Sequence, residues 1–210
     1  MLAFVCLPSV PAFAFQLDPS AAAPHEDIVD KVLGIAGPAE PSHLTEKKRL
    51  ELYVVSTAGP VPILAEAAGA GISQGIDRPK EWGHGWDAYG QRFGSNLAYN
   101  AVRGTITYGT SVVFHEDNRY FASHKQGLWA RTGYAVLSTV TARHPDGRRA
   151  FSFSSVTGVV GASAISSIWG PRSWKGLENI SGNAGLSFAT TAGFNIVREF
   201  LPDVLHRPHN

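Results

Sequence analysis

The sequence predicts an all-α domain, a bundle of five or six helices packed through glycine and alanine seams. Three observations carry that expectation. Apolar residues recur at helical spacing between Gly-Pro breaks. Small residues recur along several of the same segments, at spacings that let helix backbones approach closely. One stretch, Ser154 to Trp169, carries no charged residue. A helix apolar on every side is a buried one, in a protein core or in a bilayer.

The elements follow in order. From Thr45 onward, Leu50, Leu52, Tyr53 and Val54 stand on a Glu/Lys/Arg background, and Gly59-Pro60 ends that helix. Pro62 suits the first turn of a second helix, Val61 to about Gln74. Asp77-Arg78-Pro79 restarts the chain, and Trp82-Gly83-His84-Gly85-Trp86 makes an aromatic, glycine-rich corner. A long helix is expected over Asp87 to Phe114. Its polar residues Asn96, Asn100, Arg103, Thr107 and Ser111 share one face. Gly90 and Gly94, one turn apart, would admit a neighbouring helix. The loop His115 to Gly127 leads into a helix over Leu128 to Ala142, then into the turn His144-Pro145-Asp146-Gly147. The charge-free helix stops at Gly170-Pro171. A last helix covers Leu177 to about Phe200, with Gly182, Gly185, Ala189 and Gly193 spaced for close packing and Pro202 as its end.

A rival pattern runs through two of these segments. Ile106, Tyr108, Thr110, Val112 and Phe114 alternate with their neighbours, as do Leu186, Phe188, Thr190, Ala192, Phe194 and Ile196. Period two with β-branched residues is a strand signal, and an outer-membrane β-barrel is the alternative fold. Scarce hairpin turns and a C-terminus without an aromatic residue weigh against it.

Ahead of the helical domain, Met1 to Leu7 is uncharged and mostly apolar, and Ala12-Phe13-Ala14 has the small-residue spacing that signal peptidase reads. The expected organisation is a signal peptide over 1–14, a flexible Ala/Pro-rich leader over 15–43, the helical domain over 44–204 and a tail over 205–210. The single cysteine, Cys6, falls inside the signal. The mature chain would then have no disulfide, thiolate metal site or cysteine nucleophile. A formal net charge of +1 argues against nucleic-acid binding, which needs a basic excess to neutralise phosphates. Mean hydropathy near zero is low for a polytopic membrane protein, and only Ser154 to Trp169 approaches a charge-free span.

The densest run of chemistry is His115-Glu116-Asp117-Asn118-Arg119-Tyr120, with His124 and Lys125 behind it. His115, Asp117 and Arg119 form the candidate catalytic set: a histidine and a carboxylate this close can share a metal or act as base and orienter. His84 or His124 would assist. The plainer alternative is a solvated helix end in which Asp117 pairs with Arg119 or caps the next turn. Glu81-x-x-His84 has the spacing of half a di-iron carboxylate site, but no second copy exists and Gly83 and Gly85 weaken a helix there. Trp82 and Trp86 suit packing anchors at a bundle corner. Arg103 belongs on the polar stripe of a soluble helix, or in a membrane would need a partner such as Asp87 or Glu178. There is no Gly-x-Ser-x-Gly elbow, phosphate-binding glycine loop, Cys-x-x-Cys pair or paired-histidine zincin motif.

The run His115-x-Asp117-x-Arg119-Tyr120-Phe121 is followed by Arg131-Thr132-Gly133-Tyr134-Ala135, Asp146-Gly147, Phe153 and the closing Glu199-Phe200-Leu201-Pro202-Asp203-Val204. Together they resemble a group of exported, helical bacterial proteins common in acidobacteria, over about Trp86 to Val204. Where members of that group often read His-Gln-Asp-Pro-Arg-Tyr, this chain has Glu116 and Asn118. The resemblance implies a helical fold and export and brings no activity or cofactor with it. The expected function is a non-enzymatic cell-envelope protein, structural or membrane-associated, in the periplasm or against a membrane. Its expected partners are a lipid surface and further copies of itself through helix packing. An envelope hydrolase or metal-assisted enzyme using His115, Asp117 and Arg119, and a barrel pore or anchor, are the alternatives.

Overall fold

A computed structural model describes residues 44–123 and 125–205. The expected signal and leader, the tail from 206 onward and His124 lie outside the described residues. Among the described residues six α-helices dominate: α1 (Glu46–Ala58), α2 (Pro60–Gly75), α3 (Trp86–Phe114), α4 (Leu128–Leu137), α5 (Phe153–Ser166) and α6 (Leu177–Leu205). Single 3-10 turns stand at Lys80–Trp82 and Arg172–Trp174, and one short antiparallel hairpin pairs β1 (Thr141–Arg143) with β2 (Arg149–Phe151).

The fold is all-α, and the barrel alternative falls. Both alternating runs lie inside helices, in α3 and α6. Alternation over ten residues also places apolar groups at i and i+4, so tertiary packing decides between the two periods.

Thr45 caps α1 by accepting from the Lys48 amide, and Gly59 both closes α1 and precedes α2, whose first residue is Pro60. Pro60 lacks only a donor that a helix start leaves unpaired anyway. Gly59 itself is extended (φ −71°, ψ 166°), so α1 and α2 are two helices meeting at a one-residue break; counted across it, Glu46–Gly75 is an apolar helical stretch of 30 residues.

Helix α3 is the spine on which α1, α2 and α5 pack, while α6 packs on α4 and α5. The closest approach is α5 against α3. A Cβ added at Gly158 would overlap Thr107 Oγ1 and stand 3.2 Å from the Arg103 carbonyl oxygen; one at Gly161 would stand 2.9 Å from Ile106 Cδ1. At Gly104, α1 approaches so closely that an added Cβ would meet Thr57 Oγ1 at 2.6 Å. The other expected seams are not used: Gly90, Gly94, Gly182, Gly185 and Gly193 face open space among the described residues. Small-residue spacing permits a close approach, but which neighbour arrives is a property of the whole bundle.

The polar stripe of α3 turns inward. Asn96 Nδ2 donates to the Glu66 carbonyl (3.2 Å), Asn100 Nδ2 to the Thr57 carbonyl (3.3 Å) and Arg103 Nη2 to Thr191 Oγ1 (3.0 Å). Arg103 thus meets α6 through Thr191, not through Asp87 or Glu178. The buried apolar residues are mostly alanines (Ala70, Ala88, Ala135, Ala142, Ala162, Ala184), with Val159 and Phe121. Arg49, Arg92, Glu116, Asn195 and Glu199 are buried beside them.

Two helix ends differ from expectation. α4 stops at Leu137 rather than Ala142. Ser138 Oγ donates to the Tyr134 carbonyl and Thr141 Oγ1 to the Leu137 carbonyl; Ser138 to Val140 make a turn, and Thr141 opens strand β1. The expected turn is present, with the His144 amide donating to the Arg148 carbonyl (3.0 Å). α6 continues past Pro202 to Leu205, since a proline near a helix end forfeits little ladder.

Gly158→Ala is expected to destabilise the fold by about 1–3 kcal/mol through overpacking against Thr107. Gly182→Ala, in open space, should leave stability unchanged or raise it by up to about 1 kcal/mol through helix propensity. Thermal unfolding of the two variants side by side measures the contrast.

Candidate functional site

The chemistry-bearing run begins where α3 ends. His115 adopts the left-handed conformation (φ 53°, ψ 35°). The next amide, of Glu116, donates back to the Ser111 carbonyl (3.0 Å). This closure turns the chain sharply and sends the Glu116 side chain inward, where it is fully buried.

Glu116 meets the first turn of α5. Its Oε1 accepts from the Phe153 amide (2.9 Å); its Oε2 accepts from the Ser154 amide (2.9 Å), the Ser154 hydroxyl and the Ser152 hydroxyl (3.0 Å). Helix-start amides have no partner within their own helix, and the positive end of the helix dipole favours an anion. Asn118 extends the network, its Nδ2 donating to Ser154 Oγ (2.6 Å) and its Oδ1 accepting from Ser155 Oγ (3.1 Å). Arg49, buried on α1, donates through Nη1 to the carbonyls of Ser111 and Glu116, so α1, α3 and α5 meet at one point. Burial alone would raise the Glu116 pKa. The bonds from Ser154, Phe153 and Ser152 outweigh it and hold the carboxyl below its ordinary 4.5.

A second buried carboxylate, Glu199 of α6, collects the loop that follows. It accepts from the Tyr120 hydroxyl (2.6 Å), the Ser123 amide (2.9 Å) and hydroxyl (2.6 Å), and Arg131 Nε (2.9 Å). Arg131 also pairs with Asp203. Burial, together with the bond to Glu199 and its charge, pushes the Tyr120 pKa far above its ordinary value, so the phenol keeps its proton and donates.

Between these two anchors lies a shallow cleft lined by Asp117, Arg119, Phe121, Tyr134, Ser138, Thr141, Arg143 and Arg149. Its volume is about 10 Å³, the room of a single water molecule. Asp117 grips Arg119 through both carboxylate oxygens (Nε to Oδ1 2.9 Å, Nη2 to Oδ2 2.6 Å). Arg143 lies over the Phe121 ring, 4.4 Å from its centroid, and Arg149 over Tyr134 at 4.3 Å. Arg149 Nη2 donates to Ser138 Oγ (2.8 Å) and Thr141 Oγ1 (2.7 Å). Arg143 Nε is buried with no hydrogen-bond partner among the described residues.

Of the candidate catalytic residues, the structure brings Asp117 and Arg119 together as the ion pair that the plainer alternative expects. His115 stays exposed at the helix end. Glu81 accepts from the Ser173 amide (3.2 Å), and His84 Nε2 lies 3.4 Å from Asp77 Oδ1, so these two residues serve separate contacts. Trp82 packs on Trp174 with ring centroids 5.5 Å apart. Among the described residues, no three His, Cys, Asp or Glu side chains are grouped closely enough to share a metal ion.

Sequence reasoning did not find the roles of Glu116, Glu199, Arg49 and Arg92. Arg92 is buried on α3, donating to the Arg78 and Pro79 carbonyls and to Gln74. A charged residue in a polar run looks solvated until its partners, 36 or more positions away for Glu116, are folded onto it. A partial signal existed. Tyr120, Arg131, Glu199 and Asp203 all belong to the motifs that carried the resemblance, and they converge here. No family model, curated protein or solved structure matches the chain.

Glu116→Ala strands several buried donors and should cost about 3 kcal/mol or more. Because the folded pKa is depressed, the contribution of Glu116 is complete above 4.5 and is lost as pH falls through the lowered folded value. Denaturant titrations across acid pH should show that loss in the parent chain and its absence in Glu116→Gln. His115→Gly relieves the left-handed strain and should raise stability by about 1 kcal/mol in the same assay.

Proposed function

We propose that this chain is a non-enzymatic envelope protein seated in a membrane, with its helices facing lipid and its polar groups facing each other. The observation that carries this reading is where the charges lie. Residues 52–76 hold only Glu66, 93–114 only Arg103, and 150–171 and 179–197 hold none. These four stretches are the midsections of the packed helices. The remaining charges of the described chain gather at two ends. One end joins the start of α1, the loop after α3, the hairpin and the end of α6. The other joins the turns near Trp82 and Trp174.

The surface supports the same reading. Leu64 (69% exposed), Ile72 (67%) and Leu186 (68%) stand on the outside of the midsections, whereas buried positions hold alanine, serine, arginine and glutamate. Large apolar side chains so widely exposed on the helices are the pattern of a surface that something apolar covers. In lipid the distribution is the expected one, because helices there associate through small residues and hydrogen bonds. The span Glu46–Gly75 is long and apolar enough to cross a bilayer by length and composition. Arg103, the charge in the α3 midsection, bonds inward to Thr191, as intramembrane charges do. Trp86 and Trp129, both largely exposed, stand toward opposite ends, where interfacial aromatic residues gather.

The enzyme alternative draws little from the geometry, since Asp117 is committed to Arg119 and His115 stands apart. Export belongs to the proposal on the strength of the segment 1–14.

The test is expression of the full chain in a Gram-negative host, with carbonate extraction and N-terminal sequencing. The proposal expects a carbonate-resistant membrane fraction with a mature start at Phe15. Leu64→Lys, at the centre of the 52–76 stretch, should release it, the lysine costing about 2.5–3.5 kcal/mol at mid-bilayer. A parent chain recovered as a soluble monomer would sink the reading.

A further inference from the structure

The cleft beside the hairpin holds cations that no carboxylate of the described residues neutralises. Among the described residues, Asp117 is taken by Arg119, Asp146 by Arg148, and Glu199 with Asp203 by Arg131. Neither Arg143 nor Arg149 has an acidic partner within 4.0 Å. Yet the two arginines are directly opposite each other in the strand register. Like charges at opposed positions of an antiparallel pair repel, so the hairpin is held together against its own electrostatics.

Their remaining contacts leave donors available. The guanidinium groups of Arg143 and Arg149 lie over the Phe121 and Tyr134 rings, contacts that use no N–H donor as a hydrogen bond would. Arg149 commits Nη2 to Ser138 and Thr141, and the Nε of Arg143 is a buried orphan. That Nε is closed off from solvent, so an arriving acceptor meets the outer N–H groups of the two guanidinium groups.

We propose that this cleft is a receptor for a phosphoryl group, with Arg143 and Arg149 as a two-sided clamp. A tetrahedral oxyanion presents several oxygens at once and matches guanidinium donors arriving from two directions. The cleft has room for about one oxygen atom, so a phosphoryl group meets it at the mouth, with one oxygen reaching in and the rest, with whatever it is attached to, outside. An aromatic shelf lies next to it. Phe151 shares the strand face of Arg149, packs edge-on against Phe153 (5.2 Å), and Phe153 stacks on Phe114 (5.4 Å). All three rings are about half exposed. A phosphate clamp beside an apolar shelf, at a charged end of the bundle, suits the headgroup of an anionic phospholipid; this source rests on the membrane reading above. Free phosphate has the same chemistry and is the other source.

The experiment uses the full chain in mild detergent and in vesicles, as parent, Arg143→Ala, Arg149→Ala and the charge-keeping Arg143→Lys and Arg149→Lys. Arg148→Ala is the control, since it removes the same charge from the exposed Arg148–Asp146 pair. Flotation compares phosphatidylcholine vesicles with and without phosphatidylglycerol. Thermal unfolding in detergent compares inorganic phosphate with chloride at equal ionic strength. Phosphatidylglycerol should strengthen association of the parent, and each alanine variant should lose about fivefold of it. Arg148→Ala should lose much less, and binding to phosphatidylcholine alone should stay unchanged. The lysine variants, which keep the charge, should fold as the parent does and lose part of the gain. Stabilisation by phosphate that needs Arg143 and Arg149, without any phosphatidylglycerol effect, supports the clamp and names free phosphate as its source. Failure of the parent to bind any vesicle removes the membrane reading and leaves the phosphate arm to decide the clamp. Equal losses in Arg148→Ala and Arg149→Ala, or no response to either anion, overturn it.

Discussion

A carboxylate taken out of water costs several kcal/mol unless donors replace its hydration, and the organisation of this protein turns on how Glu116 meets that demand. The donors come from the opening turn of α5, whose amides need an acceptor for reasons of their own. Each side supplies what the other lacks. Because Glu116 follows immediately on the closure of α3, and Arg49 of α1 grips the same closure from behind, one side chain sets the relative placement of three helices. The hairpin is carried along, since the Asp117 amide and carbonyl pair with Arg143 of β1.

Away from that junction the helices are held by proximity rather than by large apolar side chains. Gly158 lets the backbone of α5 come against Thr107 and the Arg103 carbonyl, and alanines occupy most buried apolar positions. Interhelical hydrogen bonds from Asn96, Asn100 and Arg103 complete the contacts. In water such a bundle would gain little from the hydrophobic effect, because its large apolar groups point outward. On the membrane reading the surrounding lipid takes that surface, and packing with interior polar bonds is what remains to hold the helices together.

The arginines divide into two kinds. Arg49 and Arg92 are structural, spending their donors on backbone carbonyls at helix ends, and Arg131 ties α4 to α6. Arg143 and Arg149 stack on aromatic rings instead and keep their charge facing a shared cleft. A carboxylate in place of Ser138 or Thr141 would neutralise them, and the chain places hydroxyl groups there.

The helical class, the positions of most helices and the turn at His144–Gly147 were legible from the sequence, because spacing, proline and glycine act locally and need no distant partner. The ion pair of Asp117 with Arg119 was legible for the same reason, being two residues apart. The end of α4 was misjudged because hydroxyl bonding and a distant strand partner together ended the helix. Which glycines form seams, and which charges are buried, lay beyond the sequence. Gly158 and Gly182 look alike until another helix arrives at one of them. Glu116 and Asp146 look alike until the start of α5 closes over the first and leaves the second in solvent. Periodicity and breakers are properties of a segment, whereas burial and charge pairing belong to surfaces brought together from far apart in the chain, and only the tertiary structure decides those.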